Sequence, residues 1–279
     1  MTAPDGGRLL LTVGFRNRYR FAPEHRALPN RLWSIRRRMR ILLTEENSAV
    51  GAGLCQALSG THQIHSLPAG TRLTDAEAMW AQLRGIDAVI HTGVPLNPAA
   101  TGSGAEAERA ALEEATQGMH VLLEALTQAN IRRFIYCSTL ELFENMPDDR
   151  YICEQWRPDP GTDMRTLSRH LAEQVAREFA RDRALSVTIL RLGRLTREED
   201  VIPGQEPDLM WLDPRDAVRA IASAVEVDRS QQLNWQSRWA VFHICARPPH
   251  PKFLLDGSRS LAFEPEHNFA SAWSAAGAA

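Results

Sequence analysis

An α/β fold built on a doubly wound parallel sheet is what this sequence predicts, and three observations carry the prediction. The stretch Arg40-Ile-Leu-Leu-Thr44-Glu45-Glu46-Asn47-Ser48-Ala49-Val50-Gly51-Ala-Gly-Leu54-Cys-Gln-Ala-Leu58 runs from a short apolar segment into a turn, and a small-residue helical pattern begins at about Ala49. Asp87 to His91 is a second short apolar run, of the kind buried on both faces of a parallel sheet. Between and after these runs come segments of helical period, Asp75 to Leu83 and Glu106 to Asn130. Strand, turn and helix in that order make a Rossmann-like βα unit, the start of a doubly wound sheet.

The chain has 279 residues, 44% hydrophobic and 24% charged, enough for one large α/β domain with a small lobe. Residues 1–38 hold nine arginines against Asp5 and Glu24, a net of +7; the whole chain is at −2, so residues 39–279 carry −9. An acidic body argues against a nucleic-acid surface there, which leaves the basic arm as the only place for one. The arm's single apolar run, Leu9 to Val13, is too short for a secretory core and is followed by arginines. The arm is expected to be a disordered extension, or to lie upstream of a native start at Met39. No apolar run approaches the ~20 residues of a membrane span. Cys55, Cys137, Cys153 and Cys245 are widely spaced, which suggests neither a zinc site nor a disulfide framework and fits reduced thiols in a cytoplasm. No His/Asp/Glu cluster has metal-ligand spacing, so no metal is expected.

Gln63 to Leu67 reads as a second strand, residues 94–105 as a loop and Glu106 to Asn130 as one long helix with Leu112, Ala115, Met119, Leu122, Leu123 and Leu126 on its apolar face. Residues 140–162 form a further loop. The Ala/Ser-rich end beyond Asn268 is expected to fray.

Further motifs carry a resemblance. Gly85 to His91, Arg132 to Thr139, Leu185 to Gly193 and Trp211 to Ala220 resemble, in order, the fourth, fifth and sixth strands and a later helix start of the extended short-chain dehydrogenase/reductase family, the NAD-dependent epimerase/dehydratase group. The resemblance runs from Arg40 to about Phe263. It implies a Rossmann-like domain over residues 39–279, with a small C-terminal substrate-side lobe mainly within 194–268. It also implies a homodimer through two long helices.

Set beside the family's glycine fingerprint, Glu45 and Ser48 take the first two glycine positions and only Gly51, the packing glycine, remains. The resemblance places the cofactor against Thr44, Ser48, Val50, Gly51, His91, Thr92 and Gly93, with the backbone at Thr92-Gly93 passing the nicotinamide ribose. NAD and NADP are both allowed, since Leu67-Pro68-Ala69 ends the second strand without the acidic or basic residue that would select one. Carboxylates at the helix start oppose a bound phosphate, so affinity is expected to be weak or lost.

In the family, a Tyr-x-x-x-Lys pair and a Ser/Thr do the proton work. Here Thr139 takes the Ser/Thr position, but Arg165 and Arg169 take those of the tyrosine and the lysine. Arginine stays protonated and has no acceptor, so it cannot shuttle a proton. Tyr151 is the one nearby phenol that could replace the acid. Four apart on a helix, Arg165 and Arg169 share a face and would suit a carboxylate or phosphate; the alternative is that they face solvent or pair with Asp163 and Glu173. The sequence therefore predicts one of two functions. One is an atypical epimerase or oxidoreductase acting on a sugar or other small polar ligand, an anionic one included; the other is a redox-silent pseudoenzyme serving as a metabolite sensor or protein scaffold.

Overall fold

The computed structural model describes residues 38–93, 104–202 and 205–276. The basic arm, apart from Arg38, and most of the loop expected at 94–105 lie outside the described residues.

Six parallel strands form one sheet: β1 Arg40–Leu43, β2 Gln63–Ser66, β3 Ala88–His91, β4 Arg133–Thr139, β5 Ser186–Leu192 and β8 Trp239–Ile244. Their spatial order is β2-β1-β3-β4-β5-β8. From β1 the chain moves outward to β2 and then crosses back to β3, so the direction of winding reverses between β1 and β3. In open α/β sheets the ligand crevice lies at such a switch point, beyond the carboxyl ends of the strands. The residues there are Thr44, after β1, and His91, Thr92 and Gly93, at and after β3.

Alternation along each strand divides the core. Ile41, Leu43, Ala88, Ile90, Ile135, Cys137, Leu190 and Leu192 face one side, against α1 (Gly51–Leu58) and α6 (Pro214–Glu226). Leu42, Val89, Phe134, Tyr136, Val187 and Ile189 face the other, against α2 (Ala76–Gln82), α4 (Met119–Gln128) and α5 (Met164–Asp182). With both faces covered the strands read as near-continuous apolar runs. That is why β1 and β3 were visible in the sequence.

Helix starts are set by acid caps. Asp75, Asp163 and Asp213 accept from Ala78 N, Thr166 N and Arg215 N at 3.0, 3.0 and 2.9 Å, each cap stabilising its helix by about 1 kcal/mol. α1 begins at Gly51, two residues later than expected, because Ser48 N and Gly51 N first close turns onto Glu45 O and Ser48 O. The long helix is not continuous: α3 (Ala105–Glu113) passes through a π-helical turn, Glu114–Gly118, into α4. The turn sets the half-buried Glu114 to accept from Leu73 N at 3.0 Å.

A second sheet pairs β6 (Arg194–Leu195) with β7 (Trp211–Leu212). The chain end does not fray at Asn268: α8, Ala270–Ala276, follows. Trp273 tilts against Trp211 at 6.2 Å and donates from Nε1 to Asn268 O at 3.0 Å, which fastens the helix to the body. α7 is the single turn Trp235–Arg238. No described helix is long and apolar enough to cross a membrane.

Candidate functional site

At the end of β1 the buried Thr44 hydroxyl bonds the His91 ring at Nδ1, 2.8 Å away. His91 also stacks on Tyr136 at 5.3 Å. Burial, with the Arg169 cation nearby, pushes the imidazole down to about 3, so His91 is a neutral ring locked across the tops of β1 and β3. Thr92 is buried and its hydroxyl has no hydrogen-bond partner among the described residues. Gly93 follows at φ 76°, a left-handed backbone that glycine adopts without strain.

The turn after Thr44 lies directly on the start of α1. A Cβ at Gly51 would stand 2.2 Å from Glu46 O and 2.5 Å from Glu45 O, so only glycine fits beneath these carbonyls. Val50 takes the N-cap position, where its side chain cannot accept a hydrogen bond. Ser48 Oγ is buried without a hydrogen-bond partner among the described residues. Burial raises the Glu45 carboxyl to about 7, against a lowering by Arg169 and with a further rise from Glu114.

α5 carries both arginines of interest and is clamped to β5 by a buried bidentate pair. Arg191 Nε and Nη2 donate to Glu173 at 3.0 and 2.8 Å; breaking such a pair typically costs about 3–5 kcal/mol. Glu173 is therefore the partner of Arg191. Arg169 is buried, donating from Nη1 to Cys137 O at 2.9 Å, and its charge acts on the Tyr136 phenol. Arg165, one turn earlier, is half-exposed and pairs with Glu141 at 3.5 Å and Asp163 at 3.9 Å. The two arginines thus serve different surroundings, one inside the body and one at its surface.

Thr139 ends β4 and caps the short turn Leu140–Phe143, its hydroxyl accepting from Glu141 N at 3.1 Å. This fixes Glu141, a residue the sequence reading passed over. Its Oε1 is held by Arg194 Nε at 3.2 Å as well as by Arg165, while Oε2 is buried with no partner among the described residues. The only sequence signal for it was a carboxylate two residues past the serine/threonine position. Arg194 also binds Asp208 at 2.8 Å and Glu144. Tyr151 stands on the surface, 62% exposed, beside the bridge of Ile152 to Phe253. Among the described residues no group of His, Cys, Asp and Glu is arranged to hold a metal.

A six-stranded parallel sheet with helices on both faces and its switch point at Thr44 and His91 is the architecture of the extended short-chain dehydrogenases/reductases. The family model described as NAD(P)H-binding matches residues 67–209, and the chain belongs to that family. Uronate dehydrogenase from Agrobacterium tumefaciens is similar at TM-score 0.64 and 19% identity, over 84% of this chain and 86% of that one. MoeE5, solved with UDP-glucuronic acid and NAD, is similar at TM-score 0.63 and 18% identity, over 86% and 99%. UDP-N-acetylglucosamine 4-epimerase from Bacillus cereus gives 0.61 and 16%, over 85% and 97%. At such identities the likeness is one of fold. No curated protein matches the chain.

The family implies a nicotinamide dinucleotide, and two departures from the family's pattern stand in this crevice. Glu45 takes a glycine position of the family's fingerprint and lies with Glu46 in the turn before α1, where a phosphate would meet free N–H groups. At the other end Arg169 Nη1 lies 1.9 Å from where a Cβ of Gly93 would be, on the ground that the resemblance gives to the nicotinamide ribose. The matched region begins at Leu67, beyond the β1–α1 turn where these departures start.

Proposed function

We propose that the protein is an atypical epimerase- or dehydrogenase-like member of its family, in which Glu141 and Thr139 handle protons on a small polar, sugar-like substrate. The observation that carries the reading is the buried Glu141 Oε2, without a hydrogen-bond partner among the described residues, on a residue anchored through its backbone N–H to the Thr139 hydroxyl. A carboxylate can take and return a proton, which Arg165 in the tyrosine's position cannot. The Thr139 hydroxyl, already accepting from Glu141 N, keeps its own proton to donate.

Charge favours an uncharged group at this point of the cleft. Arg165 and Arg194 face Glu141, Glu144, Asp163 and Asp208, so an anion here would have to displace a carboxylate already in place. Sugar hydroxyls meet both Glu141 and Thr139 without that exchange. Tyr151, on its exposed loop, is the remaining candidate acid. NAD or NADP belongs to this reading as a weakly held cofactor in contact with Thr44, Ser48, Val50, Gly51, His91, Thr92 and Gly93. A homodimer and a reducing compartment complete it, the latter in keeping with four unpaired cysteines.

The sugar nucleotides UDP-glucose, UDP-glucuronic acid and UDP-N-acetylglucosamine, each offered with a nicotinamide dinucleotide, are the probes, with products followed by nuclear magnetic resonance. Glu141→Gln should lower turnover by at least about 100-fold, the smaller end of a general acid or base contribution, with little change in melting temperature. Wild-type turnover in Glu141→Gln would remove Glu141 from the mechanism. A second reading, a redox-silent binder acting as sensor or scaffold, draws on Glu45 and Arg169, which stand at the family's glycine and lysine positions. It predicts stabilisation by a probe without conversion in any form.

A further inference from the structure

At the switch point a side chain of the crevice's own wall lies against the backbone. Arg169 leaves α5 and ends against the backbone of β3 and β4. Its Nη1 donates to Cys137 O at 2.9 Å, and the same guanidinium acts electrostatically on the Tyr136 phenol. A Cβ at Gly93 would lie 1.9 Å from Nη1, 2.8 Å from Cζ and 3.2 Å from Cys137 O. Gly93 thus lets the guanidinium lie against the backbone, and a side chain at 93 would push it aside.

Among the described residues, charged and polar groups from several elements surround Arg169. Glu45, from the turn after β1, interacts with it electrostatically, as do the neutral His91 of β3 and Tyr136 of β4. Glu173, on α5 itself, is committed to Arg191, and Glu114 of the π-helical turn acts on Glu45. A buried cation among these groups is stable only while its acceptors stay in place.

We propose that Arg169 is a latch on the dinucleotide crevice, and that a nicotinamide dinucleotide binds only after the guanidinium has moved off Gly93. The inference rests on the reading of this crevice as the family's dinucleotide site. A displaced guanidinium needs a new anion, and the pyrophosphate of an incoming dinucleotide supplies one with the fork geometry that arginine prefers. The latch thereby weakens binding in proportion to the fraction of molecules in which it is closed; an open fraction of about one in ten weakens apparent affinity about tenfold.

The test is NADH and NADPH binding by calorimetry to the full chain and to two variants that melt cooperatively. Arg169→Lys keeps the cation but is too short and too narrow to fork between Cys137 O and Gly93. Arg169→Ala with Glu45→Gln removes the latch without leaving the Glu45 charge uncompensated. Both should bind at least one dinucleotide about tenfold more tightly than the wild type. Affinity in both variants equal to or weaker than wild type would overturn the latch alone and leave the dinucleotide reading intact. If no form binds NAD, NADH, NADP or NADPH, the dinucleotide reading falls and takes the latch with it.

Discussion

His91 and His243 are kept neutral by burial, each pushed down to about 3, and that has a signed consequence for stability. A histidine whose folded pKa lies below its unfolded value of about 6.5 binds fewer protons folded than unfolded between those limits. Its contribution is therefore complete above about pH 6.5 and is lost as the pH falls towards 3. Glu45, raised to about 7, works in the opposite sense, since from about pH 4.5 to 7 the folded state binds more protons there. Glu114 and Glu154, also raised by burial, share its sign. The clean quantity is consequently a difference between forms. His243 is fully buried, edge-on to Phe143 and Phe253 at 5.5 Å, and lies away from the crevice. The stability of wild type minus that of His243→Gln should fall by up to about 1.4 kcal/mol for each pH unit between 6 and 4.5. Urea titrations at pH 7, 6 and 5 would measure it, and a difference independent of pH would show that His243 is not held neutral.

Two glycines at opposite ends of α1 show which local features the sequence declared and which it concealed. Gly51 lies under the carbonyls of Glu45 and Glu46, whereas nothing stands within 4 Å of a Cβ at Gly60. Alanine ordinarily gains about 0.5–1 kcal/mol over glycine where the backbone permits it. Gly60→Ala should follow that rule or be neutral, while Gly51→Ala should destabilise by about 1–3 kcal/mol, the usual cost of forcing atoms into a packed site. Thermal denaturation of the pair checks it, and equal melting temperatures would mean that the β1–α1 turn moves aside easily. The packing role of Gly51 was legible because it is the one fingerprint glycine left. The π-helical turn was not, for Glu114–Gly118 keeps a helical pattern and is shaped by Leu73, 41 residues from Glu114 along the chain. The same limit hid α8, whose Ala-rich sequence carries no marked periodicity and is held by Trp273 against Trp211.

At the scale of the molecule, sequence reading succeeded where one element's pattern carries the information and failed where separate elements meet. The strands show as apolar runs because helices cover both sheet faces, and strand order then puts Thr44, His91 and Gly93 at one crevice. Arg165 and Arg169 sit four apart on one helix, yet their surroundings differ because β4 ends beside one and the Glu141 turn beside the other. No spacing along the chain encodes that divergence. The same body bears on the arm. β1 is anchored at its entry by Arg40 N donating to Asp87 Oδ2 and Asp87 N to Arg40 O, both at 2.8 Å, and the two large core clusters draw on residues from Met39 onward. Both faces of the sheet thus find an apolar core among the described residues from Met39 onward. We expect a protein of those residues alone to unfold in one cooperative transition, at a midpoint within a few degrees of the full chain; a shift of about 2–4 °C would already correspond to about 1 kcal/mol at this size. Calorimetry on both forms decides it: a broad or strongly lowered transition in the shortened chain would make residues 1–38 part of the folding unit.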